Sequence, residues 1–528
     1  MTPFKKIGLV LLALLNISNT LNADLKILNR GNCVEPATLD VNKACDVSTC
    51  AIMRDTYETL VIMGPDGGPI PAAAKSWDVS PDGKTYVFHL HQNAKWSNGE
   101  PLTAQDFVYS FQRLADPETA SPYGNHLYAI QNAHEIVTGK LKKDALGVKA
   151  LDAHRFEVTL NAPTPHFLAL MVHTCFSPLH QKSLEADKAN FTKPGNLVSN
   201  GAFKLEKWIP NSIVTLVKNE HYWDHEKVKL DQENFYPLTG ETELNTYRAG
   251  QLDMTDKVPD EKMTFVRNDP VLSKELSIVP YFSIAYLGYN LTKPPFKDNI
   301  KLRQALSLAV DREILTKNIL NAEEKPNYSY VYPHTRNNKP YYLDFKSMPK
   351  EERIKEARRL YAEAGYSKEK PLEVEISYNT DDNRKKIVTA IAKMLEETLG
   401  VKVKMTNTEW KVYLDNRKKK ETQIYFARLV GLYNDPHTFA ECMLSDSGMN
   451  DTGFNCPEYD ALVQKAAHEP DMEKRMDLHH AAEKTLVDTH AMMPLYNFTL
   501  PQLIKPYVKG YKPNLMGLIY GKDIWIEK

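Results

Sequence analysis

The sequence offers no complete catalytic or cofactor signature. It has no G-x-S-x-G elbow, no G-x-G-x-x-G turn, no phosphate loop and no H-E-x-x-H helix, which removes the common hydrolase, dinucleotide, nucleotide and zinc-protease readings. None of its 6 cysteines stands in a C-x-x-C pair, so a zinc knuckle or thioredoxin-like site is not indicated. Charge of one sign is also missing. Lys+Arg number 66 against 67 Asp+Glu, and without Lys5 and Lys6 the balance is 64 against 67, which excludes nucleic acid or an anionic membrane surface as an evident partner. There is no internal repeat at solenoid spacing and no low-complexity linker.

What is present begins with a leader pattern. Lys5 and Lys6 precede the apolar run Ile7 to Leu15, too short to span a bilayer, and the small residue of Leu21-Asn22-Ala23 suits signal-peptidase cleavage. The expected mature chain starts at Asp24. The first cysteine is Cys33, so lipid anchoring directly after the leader is not expected. An oxidising compartment permits disulfides. Cys442 and Cys456 bracket the polar loop DSGMNDTGFN, Cys45 and Cys50 are close in sequence, and Cys33 and Cys175 are left over, with fifteen connectivities formally open.

At 528 residues and 42% hydrophobic, the chain can bury several cores. Asp82-Gly83 is a turn signal before the alternating strand Thr85 to Leu90, and Asn98-Gly99 marks a second turn. Thr103 then caps a helix carrying Phe107, Val108 and Phe111 at helical spacing. Strands are also expected at 26–29, 156–160 and 213–218. Residues 351–364 read as a helix stopped at Gly365, followed by a strand over 372–378, a helix over 385–399 stopped at Gly400, and a strand through Val401, Val403 and Met405. Strand, helix and strand in that order predict a βαβ unit, hence an α/β sheet domain in the C-terminal half.

Residues 76–111, SWDVSPDGKTYVFHLHQNAKWSNGEPLTAQDFVYSF, resemble the signature of periplasmic peptide-binding proteins that serve ABC importers. The likeness continues through PETASPY (117–123), PGNLVSNGAF (194–203), YRAGQLDMTD (247–256), residues 294–311, 363–366 and 505–511, and is similar to the oligopeptide-binding branch. It implies a bilobal α/β periplasmic-binding-protein fold of the cluster C type, with two hinge segments and an extra inserted lobe. Mapped here, lobe I takes 24–57, 183–282 and 501–528, the inserted lobe 58–182, and lobe II 283–500. The implied protein is periplasmic and monomeric, has no cofactor and no enzymatic activity, captures a peptide or peptide-like ligand by hinge closure, and delivers it to an inner-membrane ABC permease.

The resemblance also implies site residues. Val47 falls in a loop that pairs with an extended peptide, Arg54 near the pocket, and Tyr123 on the inserted lobe lining the cleft. Arg384 matches a basic position meeting the far end of an oligopeptide. In IYFARLVGLYNDP (424–436), relatives place an aspartate before the Tyr433-Asn434 pair to accept the ligand's α-ammonium, and this chain has Leu432 there. Val430 and Ser283 stand where relatives often have bonded cysteines, and Arg428 where a small residue is common. Arg428 facing the cleft would favour an acidic or N-blocked ligand, whereas an acid elsewhere, Asp435 or Glu441, would restore ordinary free-amine peptide binding. A haem or metal-chelate ligand is the alternative on the same fold. His221 and His225, or His479 and His480 near Asp477, are its candidate ligands. The first pair flanks a Tyr-Trp core pair, and the second reads as a solvated helix face.

Overall fold

The computed structural model describes residues 25–528 apart from Cys45. The leader, its cleavage site and the Cys45 half of the Cys45–Cys50 pairing therefore lie outside the described residues. Among the described residues no helix is long and apolar enough to cross a membrane.

In chain order the strands are β1 (Ile27–Gly31), the short hairpin β2 (Val61–Met63) and β3 (Pro69–Pro71), β4 (Ala74–Val79), β5 (Thr85–Leu90), β6 (Val148–Asp152) and β7 (Arg155–Thr159). They continue with β8 (Phe203–Ile209), β9 (Ile213–Lys218), β10 (Gln232–Tyr236), β11 (Leu276–Tyr289), β12 (Lys325–Pro326), β13 (Glu373–Asn379), β14 (Lys402–Thr408), β15 (Ile424–Val430) and β16 (Met492–Leu503). Three sheets organise the molecule. One has the order β1-β10-β9-β8, one β4-β5-β7-β6, and the largest β12-β16-β11-β15-β13-β14.

The local signals act as expected. In β5, Tyr86, Phe88 and Leu90 are buried on one face while their neighbours are half-buried. Thr103 opens the helix Ala104–Ala115 with a capping box closed by Asp106. The helix Asp382–Leu399 buries Ile387, Val388, Ile391, Leu395 and Leu399, each contributing about 1.5–3 kcal/mol on transfer from water, and ends at Gly400 with φ 74°. It joins β13 to β14, which pair in parallel, so the βαβ unit is real.

Beside it, β15 pairs with β13 in parallel and with β11 antiparallel, and β11 pairs antiparallel with β16. The last two strands are the longest, at 14 and 12 residues. A separate core lies under this sheet, centred on Leu302, Ile376, Ile391 and Tyr425. A second core is shared by the β1 and β4 sheets and includes Phe88, Phe107, Phe156 and Phe203.

Two expectations fail. Cys442 and Cys456 are both free thiols, as are Cys33 and Cys175. The bracketed loop needs no crosslink: Asn450 donates to the carbonyls of Leu444 and Phe454 at 3.1 and 2.7 Å, and the Cys456 amide donates to Ser445 Oγ at 3.2 Å. Cys442 instead turns into the core, its thiol 3.3 Å from Thr438 O, where burial raises its pKa. His479 is also misread as solvated. It is 2% exposed, on the inner face of the helix Met472–Asp488.

Candidate ligand-binding cleft

Strand alternation puts Phe426, Arg428 and Val430 on one face of β15. Arg428 lies opposite Ala285 of β11 and donates from Nε to Ser283 Oγ at 3.0 Å. Its guanidinium stands 4.3 Å from the Phe498 ring centroid and 5.3 Å from that of Tyr281, within cation–π range. It forms no ion pair with any described residue. The side chain is solvent-exposed, yet desolvation is the leading cause lowering its pKa from the ordinary value. Arg428 is thus closely surrounded by protein while water still reaches it.

Arg384 joins the same group. Asp381 caps its helix by accepting the Arg384 amide at 2.8 Å, which turns the side chain back over the rings of Trp410 and Phe426 at 5.7 and 5.6 Å. Arg384 is close enough to contribute to the lowered pKa of Arg428, and Asp260 opposes it from the β1-sheet side. Asn383 crosses to that side as well, donating to Asp260 Oδ2 at 2.8 Å. Two guanidiniums over four aromatic rings can hold an anionic group while covering apolar surface.

The following residues divide. Val430 is half-buried, and Leu432 is 46% exposed with its amide donating to Thr438 Oγ1 at 3.0 Å. Tyr433 and Asn434 are buried and already occupied. Tyr433 Oη donates to Glu441 at 3.0 Å and its ring stacks on His166 at 5.4 Å. Asn434 Nδ2 donates to Gly67 O at 2.9 Å while its oxygen accepts the Arg336 amide at 3.0 Å. Gly67 has φ 77°, and a Cβ there would lie 2.3 Å from Asn434 Nδ2, so only glycine fits this approach. Neither alternative acid is available beside Leu432. Asp435 accepts both terminal nitrogens of Arg475 at 2.7 Å, and burial lifts Glu441 to about 7 while Tyr433 occupies one oxygen.

The remaining expected residues form another group. Val47, the first residue of the helix Val47–Thr56, is 68% exposed, and Arg54 near its end is half-buried with no protein partner for its Nε. Arg54 lies near His173, whose ring packs 4.5 Å from Tyr123, with His126 5.2 Å from the same tyrosine. Burial lowers the pKa of His126 to about 4 and of His173 to about 3, keeping both neutral. These two histidines were not singled out from the sequence. His126 lies in the single 3-10 turn Gly124–Leu127 and His173 caps another at Thr174–Phe176, and only their packing on Tyr123 marks them. The structure thus gathers Arg384 with Arg428 in one group and Arg54 with Tyr123 in another.

Comparison with known proteins decides what this cleft belongs to. Residues 68–451 match the family described as bacterial extracellular solute-binding proteins, family 5. The chain belongs to this family. It is 39% identical over 511 residues to the periplasmic oligopeptide-binding protein OppA of Salmonella typhimurium, covering 96% of this chain and 93% of that one. It is 37% identical to the periplasmic murein peptide-binding protein MppA of Escherichia coli, covering 97% and 95%. The unliganded open form of a periplasmic murein tripeptide-binding protein, MppA, superposes with a TM-score of 0.84 at 36% identity, over 96% of this chain and 98% of that one. As a family 5 solute-binding protein the chain has the bilobal α/β fold and is a binding protein, not an enzyme.

Proposed function

We propose that this protein is the periplasmic capture component of an ABC importer, closing two lobes about a peptide-like ligand and presenting it to the permease. The ligand we favour is acidic or lacks a free N-terminal amine. Lobe I would comprise residues 24–57, 183–282 and 501–528, the inserted lobe 58–182 and lobe II 283–500, with β11 and β16 running through the two crossings. Relatives named for oligopeptide and murein-peptide binding support a peptide-like ligand.

The observation that carries the finer reading is an Arg428 without a carboxylate partner together with an exposed Leu432. An α-ammonium placed against leucine lacks a carboxylate partner, and leaving such a buried charge unpaired costs roughly 3–5 kcal/mol, on the order of a hundredfold or more in affinity. Arg428 instead supplies donors for a carboxylate or phosphate.

Calorimetric titration tests this reading. The expected result is weak binding of unmodified tri- and tetrapeptides, tighter binding of N-acetylated acidic peptides, and loss of that preference in Arg428→Ala. Submicromolar binding of the unmodified set, unaffected by Arg428→Ala, would restore an ordinary free-amine peptide binder.

A further inference from the structure

Three histidines from distant parts of the chain meet in one buried stack beneath Tyr433. His166 comes from the segment after β7, His437 from the turn after β15 and His479 from the helix Met472–Asp488. The His166 and His437 rings are stacked 4.5 Å apart with their planes inclined by 27°, and His437 meets His479 edge-on at 5.8 Å. All are buried, at 8%, 8% and 2% exposure. The stack lies where the β4-sheet region meets the helices beyond β15. Two other contacts cross the same boundary: Asn434 with Gly67, and His468 Nδ1 with Pro163 O at 3.0 Å.

The charges facing the stack cancel. Asp435 and Arg475 form a two-pronged pair, and Arg475, fully buried, also donates from Nε to Ala466 O at 3.0 Å. His166 Nδ1 lies 3.5 Å from Arg475 Nη2, an arrangement that needs a lone pair on that nitrogen. His468 faces His437 from the neighbouring helix, and Tyr433, hydrogen-bonded to Glu441, covers His166. Glu483, one turn beyond His479, is occupied by the amides of Tyr330, Val331 and Tyr341. Asp435 favours the charged form of all three imidazoles and Arg475 opposes it, while desolvation outweighs both. His437 Nδ1 and both ring nitrogens of His479 have no protein hydrogen-bond partner. Among the described residues no His, Cys, Asp or Glu group is arranged to hold a metal ion, so metal binding does not explain the stack.

We propose that the His166, His437 and His479 stack is an acid-released latch between the inserted β4-sheet region and the helices beyond β15, holding while its imidazoles are neutral and opening when they are protonated. Protonating His166 on Nδ1 sets an N–H against the Arg475 guanidinium. Protonating His437 or His479 puts a charge into a dry, charge-balanced interface.

Desolvation depresses all three groups, His437 to about 4 and His479 to about 3. Groups depressed when closed favour closure above their open value, near 6.5, and lose that contribution as pH falls toward the closed value. If hinge closure is the mode of capture, the latch would promote release in acid. That consequence rests on the proposed function, whereas the latch itself requires no ligand.

The test is hydrogen exchange on the ligand-free mature chain at pH 7.5 and 5.0, corrected for intrinsic exchange. One histidine moving from about 4 to 6.5 on opening raises the opening constant roughly 30-fold between those conditions when Glu441, lifted to about 7 by burial and opposite in sign, stays covered on its own side of the boundary. The expected result is that increase or more in segments 163–168 and 434–439. His166→Phe and His479→Phe should reduce it, and the exposed control His134→Gln should not. Unchanged protection in the wild type, or an increase that survives both phenylalanine variants, would overturn the latch. An NMR titration of the intact wild type gives a result even if the variants do not fold. The three imidazoles should not titrate between pH 8 and 5.5, and midpoints near 6.5 would equally overturn the proposal.

Discussion

Around Asp55 and Glu233 the protein buries carboxyl groups beside two arginines, whereas around His166, His437 and His479 it buries imidazoles about a single completed Asp435–Arg475 pair. In the first region Asp55 and Glu233 are 1% and 0% exposed, and burial and mutual repulsion push Glu233 well above the usual carboxylate range. Burial also raises Asp55 and Asp256 and lifts Glu243 to about 8, with Arg30 opposing the shifts at Asp55 and Asp256. Arg30 itself, over the Phe235 ring, leaves Nε and Nη1 without protein partners. The acids keep protons as pH rises, and the histidines refuse them as pH falls. Raised carboxyl pKa values give stability that is complete below the unfolded value and declines as pH rises through the folded one. Depressed histidine values give stability that is complete above about 6.5 and declines in acid. The same force, desolvation, acts in both regions. The charge type of the group decides which side of neutrality it penalises.

The largest expected effect comes from breaking the completed pair. Asp435→Asn leaves Arg475 buried without its carboxylate, and urea denaturation at pH 7.5 should register a loss of about 3–5 kcal/mol. A loss under 1 kcal/mol would show that water already reaches the histidine region.

Next is Glu243→Gln, which keeps an acceptor for the Asp256 amide but removes the ionisation. The variant should gain stability relative to wild type as pH rises from 5 to 8. Parallel melting curves across that range would remove Glu243 from the acidic side of the comparison.

Two small effects mark residues outside both clusters. Cys456→Ser should shift stability by no more than about 0.5 kcal/mol, because Ser445 and Asn450 already hold the loop. A loss above 2 kcal/mol in oxidising buffer, absent in reducing buffer, would point to a bond with Cys442. Arg428→Ala should likewise stay small, within about 1 kcal/mol in the absence of ligand, since it joins no ion pair and gives up only one hydrogen bond to Ser283 and its partly exposed ring contacts. A larger loss would mean that Arg428 supports the fold rather than the cleft.

Elements with a local cause were legible in advance. Thr103 and Asp106 cap one helix within four residues, Gly400 stops another, and the β13–helix–β14 unit follows from apolar spacing alone. The cleft was partly legible. Arg384, Arg428 and Tyr123 were reached through resemblance, but the commitment of Tyr433 and Asn434 to His166 and Gly67 was not, because those partners lie about 270 and 370 residues away. The cysteines mislead for a related reason. Nearness in sequence suggests a crosslink, while the direction of each thiol is set by packing.

By itself the sequence determined the βαβ unit, the capped helices and membership of a binding-protein family, because short-range periodicity and ordered motifs depend on neighbours a few residues apart. Only the tertiary structure decided which charges are spent and which are free. It pairs Asp435 with Arg475, leaves Arg428 unpaired over Phe498, and brings His479 from an apparently solvated helix into contact with His437. The charge state of a side chain follows from the dielectric and partners around it, and long-range packing supplies both.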